Sequence, residues 1–330
     1  MKKTLITRRS LLASSAAAAS LPLIGSAASA QAAWPSKPVR VVVGYPAGGQ
    51  TDGIARAYCE FLTRHFGQPF VVENKGGGSG SVGAIDVKNS PPDGHTLMCT
   101  ISTTMIQNRA TIKNLAYDPE KDFAIFSVVK GSGLLMVVQT SSGATNLQDW
   151  IAWAKKADKV SMGTYAVGST PHIVAFELNK QYGLKIEPIH YRGEAPMWAD
   201  FMAGSIETAI GSYAVTSPVL QSGRGKLIGT TGSRIKPHPE IPTLAEQGAA
   251  SKLFSVRGFT GWFAPVKTPP EIVKKLSDAM VLAGKDERVE KALSNYYLEP
   301  ASDMVEAQRQ FSEESPVLLD VLKGLGIQAE

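Results

Sequence analysis

Along the chain, short β-branched apolar runs alternate with stretches in which apolar residues recur at helical spacing. The first run is Val39–Val43, broken only by Arg40, and it reads as a buried strand. A small-residue turn follows, Gly44-Tyr45-Pro46-Ala47-Gly48-Gly49. Ile54, Tyr58, Phe61 and Leu62 then share one face of a helix capped by Thr51 or Asp52. The same order returns later. A strand at Val160–Tyr165 leads into the turn Ala166-Val167-Gly168-Ser169. Thr170 is the N-cap and Pro171 the first position of a helix that carries Ile173, Phe176 and Leu178 and stops at Gly183. Other strands are predicted at 68–74, 96–101, 124–129, 134–139, 186–191, 206–210, 227–231 and 256–264, and helices at 147–157, 196–203, 215–221, 244–248 and 271–283, with two more before the C terminus. This alternation predicts an α/β protein with mainly parallel sheets, a class in which ligands sit at the carboxyl ends of strands.

Both small-residue turns offer the same chemistry. A strand that ends in glycines and opens a helix aims free N–H groups, and the positive end of the helix dipole, at whatever lies above it. Glycine lets that ligand come close to the backbone. One such turn alone is compatible with an ordinary βα connection. Two of them, with Ser102 and Thr103 at the end of a neighbouring strand, point to the capture of an anion by backbone and hydroxyl groups.

Residues 1–30 read as an export signal. Lys2, Lys3, Arg8 and Arg9 precede an Ala-rich apolar run and the cleavage pattern Ala28-Ser29-Ala30. Thr7-Arg8-Arg9-Ser10-Leu11-Leu12 resembles a twin-arginine signal, with a Sec signal as the alternative. The leader carries four of the 34 basic residues and none of the 29 acidic ones, so 30 basic side chains remain against 29 acidic. The overall basicity is therefore an address label and gives no electrostatic case for nucleic acid.

The remaining length, about 300 residues, favours two domains over one core. Cys59 and Cys99 are the only cysteines; a disulfide and two separate buried thiols are both open readings. No CxxC or HxxxH pattern suggests zinc, and no cofactor is expected. Gly78-x-Gly80-x-x-Gly83 matches a dinucleotide fingerprint in form only. Three residues separate Gly78 from the strand before it, and the next strand ends in Ser102-Thr103-Thr104 without the acidic residue that holds a ribose.

The spacing of several short motifs resembles the tripartite tricarboxylate transporter receptors, the Bug family of periplasmic solute-binding proteins. They include Gly44-Tyr45-Pro46-Ala47-Gly48-Gly49-x-x-Asp52, Pro92-Asp93-Gly94-His95, Gly168-Ser169-Thr170-Pro171-His172, Tyr191-Arg192-Gly193 and Gly261-Trp262-Phe263-Ala264-Pro265. The resemblance implies a two-lobed periplasmic-binding-protein-like (type II) fold that closes on its ligand like a hinge. Lobe 1 would comprise residues 34–136 and 257–330, and lobe 2 residues 137–256. It implies that a ligand carboxylate is held by Tyr45, Ala47, Gly48, Gly49, Thr51 and Asp52 in the first turn and by Gly168, Ser169 and Thr170 in the second. Ser102, Thr103, Tyr191 and Ser212 are further candidates from nearby strand ends. Two positions depart from the family pattern. Gly211 stands where members often carry Asp, which argues mildly against amino-acid ligands, and Arg192 stands in place of a Lys.

The function implied is a monomeric periplasmic receptor that delivers a small carboxylate to permease subunits in the membrane. A sensor that reports the same ligand to a membrane kinase is the alternative. A secreted hydrolase is the remote one, since no GxSxG, HExxH or P-loop occurs and the five histidines lack a partner pattern. His172 is read as a capping or packing residue.

Overall fold

The computed structural model describes residues 34–249, 251, 254, 257–324, 326 and 329. The export segment read at residues 1–30 lies outside them. The chain runs β1 (Val39–Val43), α1 (Gln50–Phe66), β2 (Phe70–Asn74), α2 (Ser81–Lys88) and β3 (Thr96–Ile101). A π-type turn at Thr103–Gln107 leads on to β4 (Phe123–Lys130) and β5 (Leu135–Gln139). Then come α3 (Leu147–Ala154), β6 (Val160–Thr164), α4 (Thr170–Tyr182), β7 (Ile186–His190), α5 (Glu194–Ala203), β8 (Thr208–Gly211), α6 (Tyr213–Gln221) and β9 (Gly225–Thr230). The chain returns as β10 (Phe259–Pro265) and closes with α7 (Pro270–Ala283), α8 (Glu287–Tyr296) and α9 (Met304–Gly324).

The strands form two sheets, one per lobe, in the orders β2-β1-β3-β10-β4 and β7-β6-β8-β5-β9. Strand β1 shows how each sheet is covered on both faces. Val39, Val41 and Val43 pack with Ile54, Tyr58 and Leu62 of α1 and with Leu276 of α7, whereas Val42 faces Ala84 of α2 and Leu318 of α9. Arg40, the polar break in the run, is ion-paired to Asp86 at 2.6 Å and to Glu73 at 3.0 Å. The second sheet packs Trp150 and Leu178 on one face and Trp198 and Phe201 on the other. Each large side chain so buried contributes roughly 1.5–3 kcal/mol.

The sheets are mixed, not mainly parallel as the alternation of elements predicts. β1 runs parallel to β2 and β3, and β6 to β7 and β8, but β10 is antiparallel to both its neighbours and so is β5. The reason is topological. β5 and β10 are the strands that enter each sheet from the other lobe, so each starts at the cleft while the parallel strands end there. Leu135 accordingly sits beside Gly211, and Thr260 beside Ile101. The predicted helix at 244–248 is instead a series of turns. Its polar groups are used elsewhere: Leu244 N–H donates to Thr230 O, and the Gln247 side-chain amide donates to Ile228 O.

The segments that join the lobes touch backbone to backbone. A Cβ on Gly131 would stand 2.4 Å from Arg257 O, and one on Gly133 would stand 2.1 Å from Ser233 O. The rotation axis of a two-lobed protein passes through such crossings. Gly131→Ala is expected to push the two crossing segments apart and lower stability by about 1–3 kcal/mol, as overpacking does elsewhere. Thermal unfolding monitored by circular dichroism checks this; an unchanged melting temperature would show that the crossing segments separate freely.

Candidate functional site

The first turn is held from beneath. The Asp52 carboxylate accepts the Gly48 N–H at 3.1 Å, Arg56 Nε at 3.0 Å and Asn74 Nδ2 at 3.0 Å, and the same Asn74 nitrogen bonds Tyr45 O. Helix α1 begins earlier than expected, with Gly49 as its N-cap and Asp52 reaching back from the first helical turn. Burial opposes ionisation of Asp52, but the bonds from Arg56, Gly48 and Asn74 outweigh it and hold the carboxyl below the usual range. Tyr45 is anchored through its hydroxyl to Ser79 O and Thr104 Oγ1. The glycine run pads this turn and does not open a nucleotide site. Added Cβ atoms would meet Pro46 at Gly76, Thr104 at Gly80 and Gly44 at Gly83.

The second turn has its own brace. His172 is buried and its Nδ1 accepts the Gly168 N–H at 2.9 Å. Burial, and then the nearby His190, lower its pKa to about 3, so the ring stays neutral and acts as an acceptor. Gly168 sits at φ +75°, which favours glycine. Ser169 is the N-cap of α4 in place of Thr170, and its hydroxyl bonds Ala166 O at 2.6 Å.

Between the two turns lies a cavity of about 70 Å³. Of the predicted residues, Tyr45, Gly49, Thr51, Ser102, Thr103 and Thr170 line it. Ala47 and Gly48 are exposed outside the lining, while Asp52, Gly168 and Ser169 are buried behind it. Tyr191 lies outside it too; its hydroxyl donates to Asp200, and burial leads in raising its pKa to about 12. Ser212 is buried and spends both its N–H and its hydroxyl on Glu194, at 2.7 Å each. Arg192 is exposed and away from the cavity. A larger hollow of about 690 Å³ shares Gly131, Ser132 and Arg257 with this cavity and adds Lys130, Arg234 and Lys236 together with Glu290 and Glu299, so its surround is of mixed charge.

Sequence reasoning missed Gln50, Tyr165, Glu194 and Arg257 in the lining. Glu194 was legible in principle, because an acidic residue in a helix's first turn sits where the strand ends converge. It was overlooked because the helix was started at Pro196. Its carboxylate also accepts the Gln50 N–H from the other lobe at 3.4 Å, which places it at the N-terminus of α1. The lobes meet at further points. Ser79 Oγ donates to Val167 O at 3.5 Å, the rings of Tyr213 and Tyr297 are 5.0 Å apart, and Ile173 packs with Leu322. A Cβ on Gly193 would lie 2.9 Å from Pro46.

Residues 54–317 match the family described as tripartite tricarboxylate transporter family receptor. The chain belongs to that family. A Cupriavidus necator protein known as the UPF0065 protein in the gbd 5'region is 31% identical over 303 residues, 91% of each chain. The R. palustris protein Rpa4515, solved with adipate, is 29% identical and superposes with a TM-score of 0.84 over 90% of this chain and 100% of its own. MatC from Rhodopseudomonas palustris, solved with bound malate, is 26% identical with a TM-score of 0.79 over 88% of this chain and 100% of its own. The chain shares the two-lobed fold of these two structures.

For this receptor, as described, no helix is long and apolar enough to cross a membrane, and no cluster of three His, Cys, Asp or Glu side chains is placed to hold a metal ion. Cys59 and Cys99 are both free and buried. Asp52→Ala removes the brace of the first turn, so at pH 7 it is expected to cost about 1–2 kcal/mol, the scale of a lost cap. Because the folded-state pKa of Asp52 is depressed, its contribution is full above the unfolded value of about 3.9 and is lost as pH falls through the folded value. Urea unfolding of wild type and variant should therefore differ at pH 7 and converge in the acid range; a pH-independent gap would show that the carboxylate's charge is irrelevant.

Proposed function

We propose that the protein is a periplasmic solute-binding receptor that takes a small carboxylate into the cleft between its lobes and presents it to a membrane permease. The observation that carries this reading is the cavity itself. It lies between two helix starts, at the carboxyl ends of both sheets, under a lining rich in hydroxyls from Thr51, Ser102, Thr103 and Thr170. A carboxylate there would meet N–H and O–H donors in a partly desolvated space, where such bonds are strongest. The adipate and malate bound by the two relatives support a carboxylate as the ligand class.

In this reading Tyr45, Gly49, Thr51, Ser102, Thr103 and Thr170 touch the ligand. Ala47, Gly48 and Asp52 shape the first turn, and Gly168 and Ser169 the second. Tyr191 and Ser212 stand behind the wall. We place the lobe boundary at the crossings 131–134 and 257–258, so that residues 34–130 and 259–324 form one lobe and the chain between forms the other. The family and the export signal argue for the periplasm and for permease subunits as partners, and no catalytic role is assigned to any residue.

The test is a thermal-shift screen of the mature protein against small carboxylates with their amides as controls. At a hundredfold excess over Kd a ligand stabilises the folded state by about 2.7 kcal/mol, a shift of several degrees. A rise for an acid that is absent with its amide is expected; equal shifts with acid and amide would overturn carboxylate capture. Closure is tested separately. Gly193→Val brings a side chain against Pro46 at a backbone φ of +148°, which favours glycine, and is expected to lower the unliganded melting temperature and to weaken binding of the best acid at least tenfold. Titration calorimetry reads the affinity and scanning calorimetry the melting temperature, and wild-type affinity in this variant would show that binding needs no closure.

A further inference from the structure

Glu194 is the acidic side chain in a lining whose other charged member, among the described residues, is Arg257. Its oxygens are held by Ser212 N–H, Ser212 Oγ and Gln50 N–H, all uncharged donors, and it takes part in no ion pair among the described residues. Burial pushes its carboxyl above the usual range, more than those three bonds pull it down. A half-buried carboxylate that faces a cavity without an ion-pair partner is costly unless a cation is supplied. A second acceptor points to the same need. Gln50 also lines the cavity, and its Oε1 is buried with no hydrogen-bond partner among the described residues.

The neighbouring Gly211 explains how Glu194 comes to be there. A Cβ at Gly211 would lie 3.1 Å from Glu194 Oε1 and 2.7 Å from Trp198 Nε1. Any side chain at 211 would therefore compete with Glu194 for the same space. Where the family pattern puts an acidic residue at this strand end, this chain leaves the strand bare and brings a carboxylate in from the first turn of α5. The carboxylate that Gly211 lacks is thus present in the cleft, from a different residue.

From this geometry we infer that the ligand carries a cationic nitrogen beside its carboxylate, and that Glu194, with Gln50 Oε1, receives that nitrogen. The ligand class is a small ammonium acid, neutral overall, matched to a lining with one negative and one positive side chain. A dicarboxylate would set a second negative charge against Glu194 and would bind only once that carboxyl had taken up a proton. This inference rests on the receptor reading above and narrows it, and it sets the chain apart from relatives solved with dicarboxylates.

The experiment is titration calorimetry at pH 7 on the full mature protein, freed of co-purified ligand by unfolding and refolding on a column. The probes are glycine, L-alanine, 3-aminopropanoate and 4-aminobutanoate, against succinate, glutarate, malate and adipate, with propanoate as the monocarboxylate reference that lacks an ammonium group. At least one ammonium acid is expected to bind ten times more tightly than propanoate and than every dicarboxylate. Glu194→Gln should erase that preference, weakening the ammonium acid at least tenfold while leaving dicarboxylates unchanged or tighter. Dicarboxylates that bind wild type at least as well as the ammonium acids would overturn the inference and leave the receptor reading standing. A variant that folds and keeps the wild-type ranking would overturn the role of Glu194, and if it fails to fold the wild-type ranking alone decides. No binding by any of these acids would overturn the inference and the carboxylate reading together.

Discussion

The structure depends on a crossing in which two chain segments pass between the lobes with no room for side chains between them. Gly131 faces Arg257 O and Gly133 faces Ser233 O at distances a Cβ would violate. This contact fixes where the lobes can pivot. It also decides the direction of every strand around the cleft, because β5 and β10 start from it and their neighbours must end beside it. The site is then a product of topology, with β1 and β6 both delivering a glycine turn and a helix start to the same gap.

Energetics separate the rigid from the movable. Each sheet is buried on both faces by large apolar side chains worth roughly 1.5–3 kcal/mol apiece. Among the described residues the lobes meet through two long hydrogen bonds, an aromatic pair and small apolar contacts such as Ile173 with Leu322 and Gly193 with Pro46. With about 1 kcal/mol for a net hydrogen bond, these contacts are few beside the cores. The lobes are therefore stiff bodies and the joint between them is soft, which is the condition for a ligand of modest size to shift the balance between open and closed forms.

Most of the element order and the first and second turns were legible in the sequence. Val39–Val43 and Thr96–Ile101 occur as read, because a β-branched run between turn residues leaves little choice. What could not be read was direction and depth. The antiparallel entry of β5 and β10 follows from the lobe crossing, which no local pattern encodes. Thr51 and Thr170 reach the cavity while Ser169 and Asp52, one residue away from each, turn inward to brace the backbone. That difference is set by which side of the helix start faces the cleft, and one-residue errors in the caps hid it. Glu194 and Arg257 come from the rim of α5 and from the crossing, outside the glycine turns on which sequence reasoning concentrates.

Strand β10 has a further consequence, for the order in which the chain can assemble. It lies between β3 and β4 and, among the described residues, is β4's one partner in the sheet. Every strand of the second sheet has been synthesised by Thr230, whereas the first sheet stays split into a three-strand piece and a stranded edge until Pro265 has emerged. The inserted lobe is thus complete while the lobe that begins the chain is still waiting for its middle strand. A nascent or truncated chain ending before Phe259 would present two unpaired strand edges, the surface that chaperones cover and that drives aggregation when they do not.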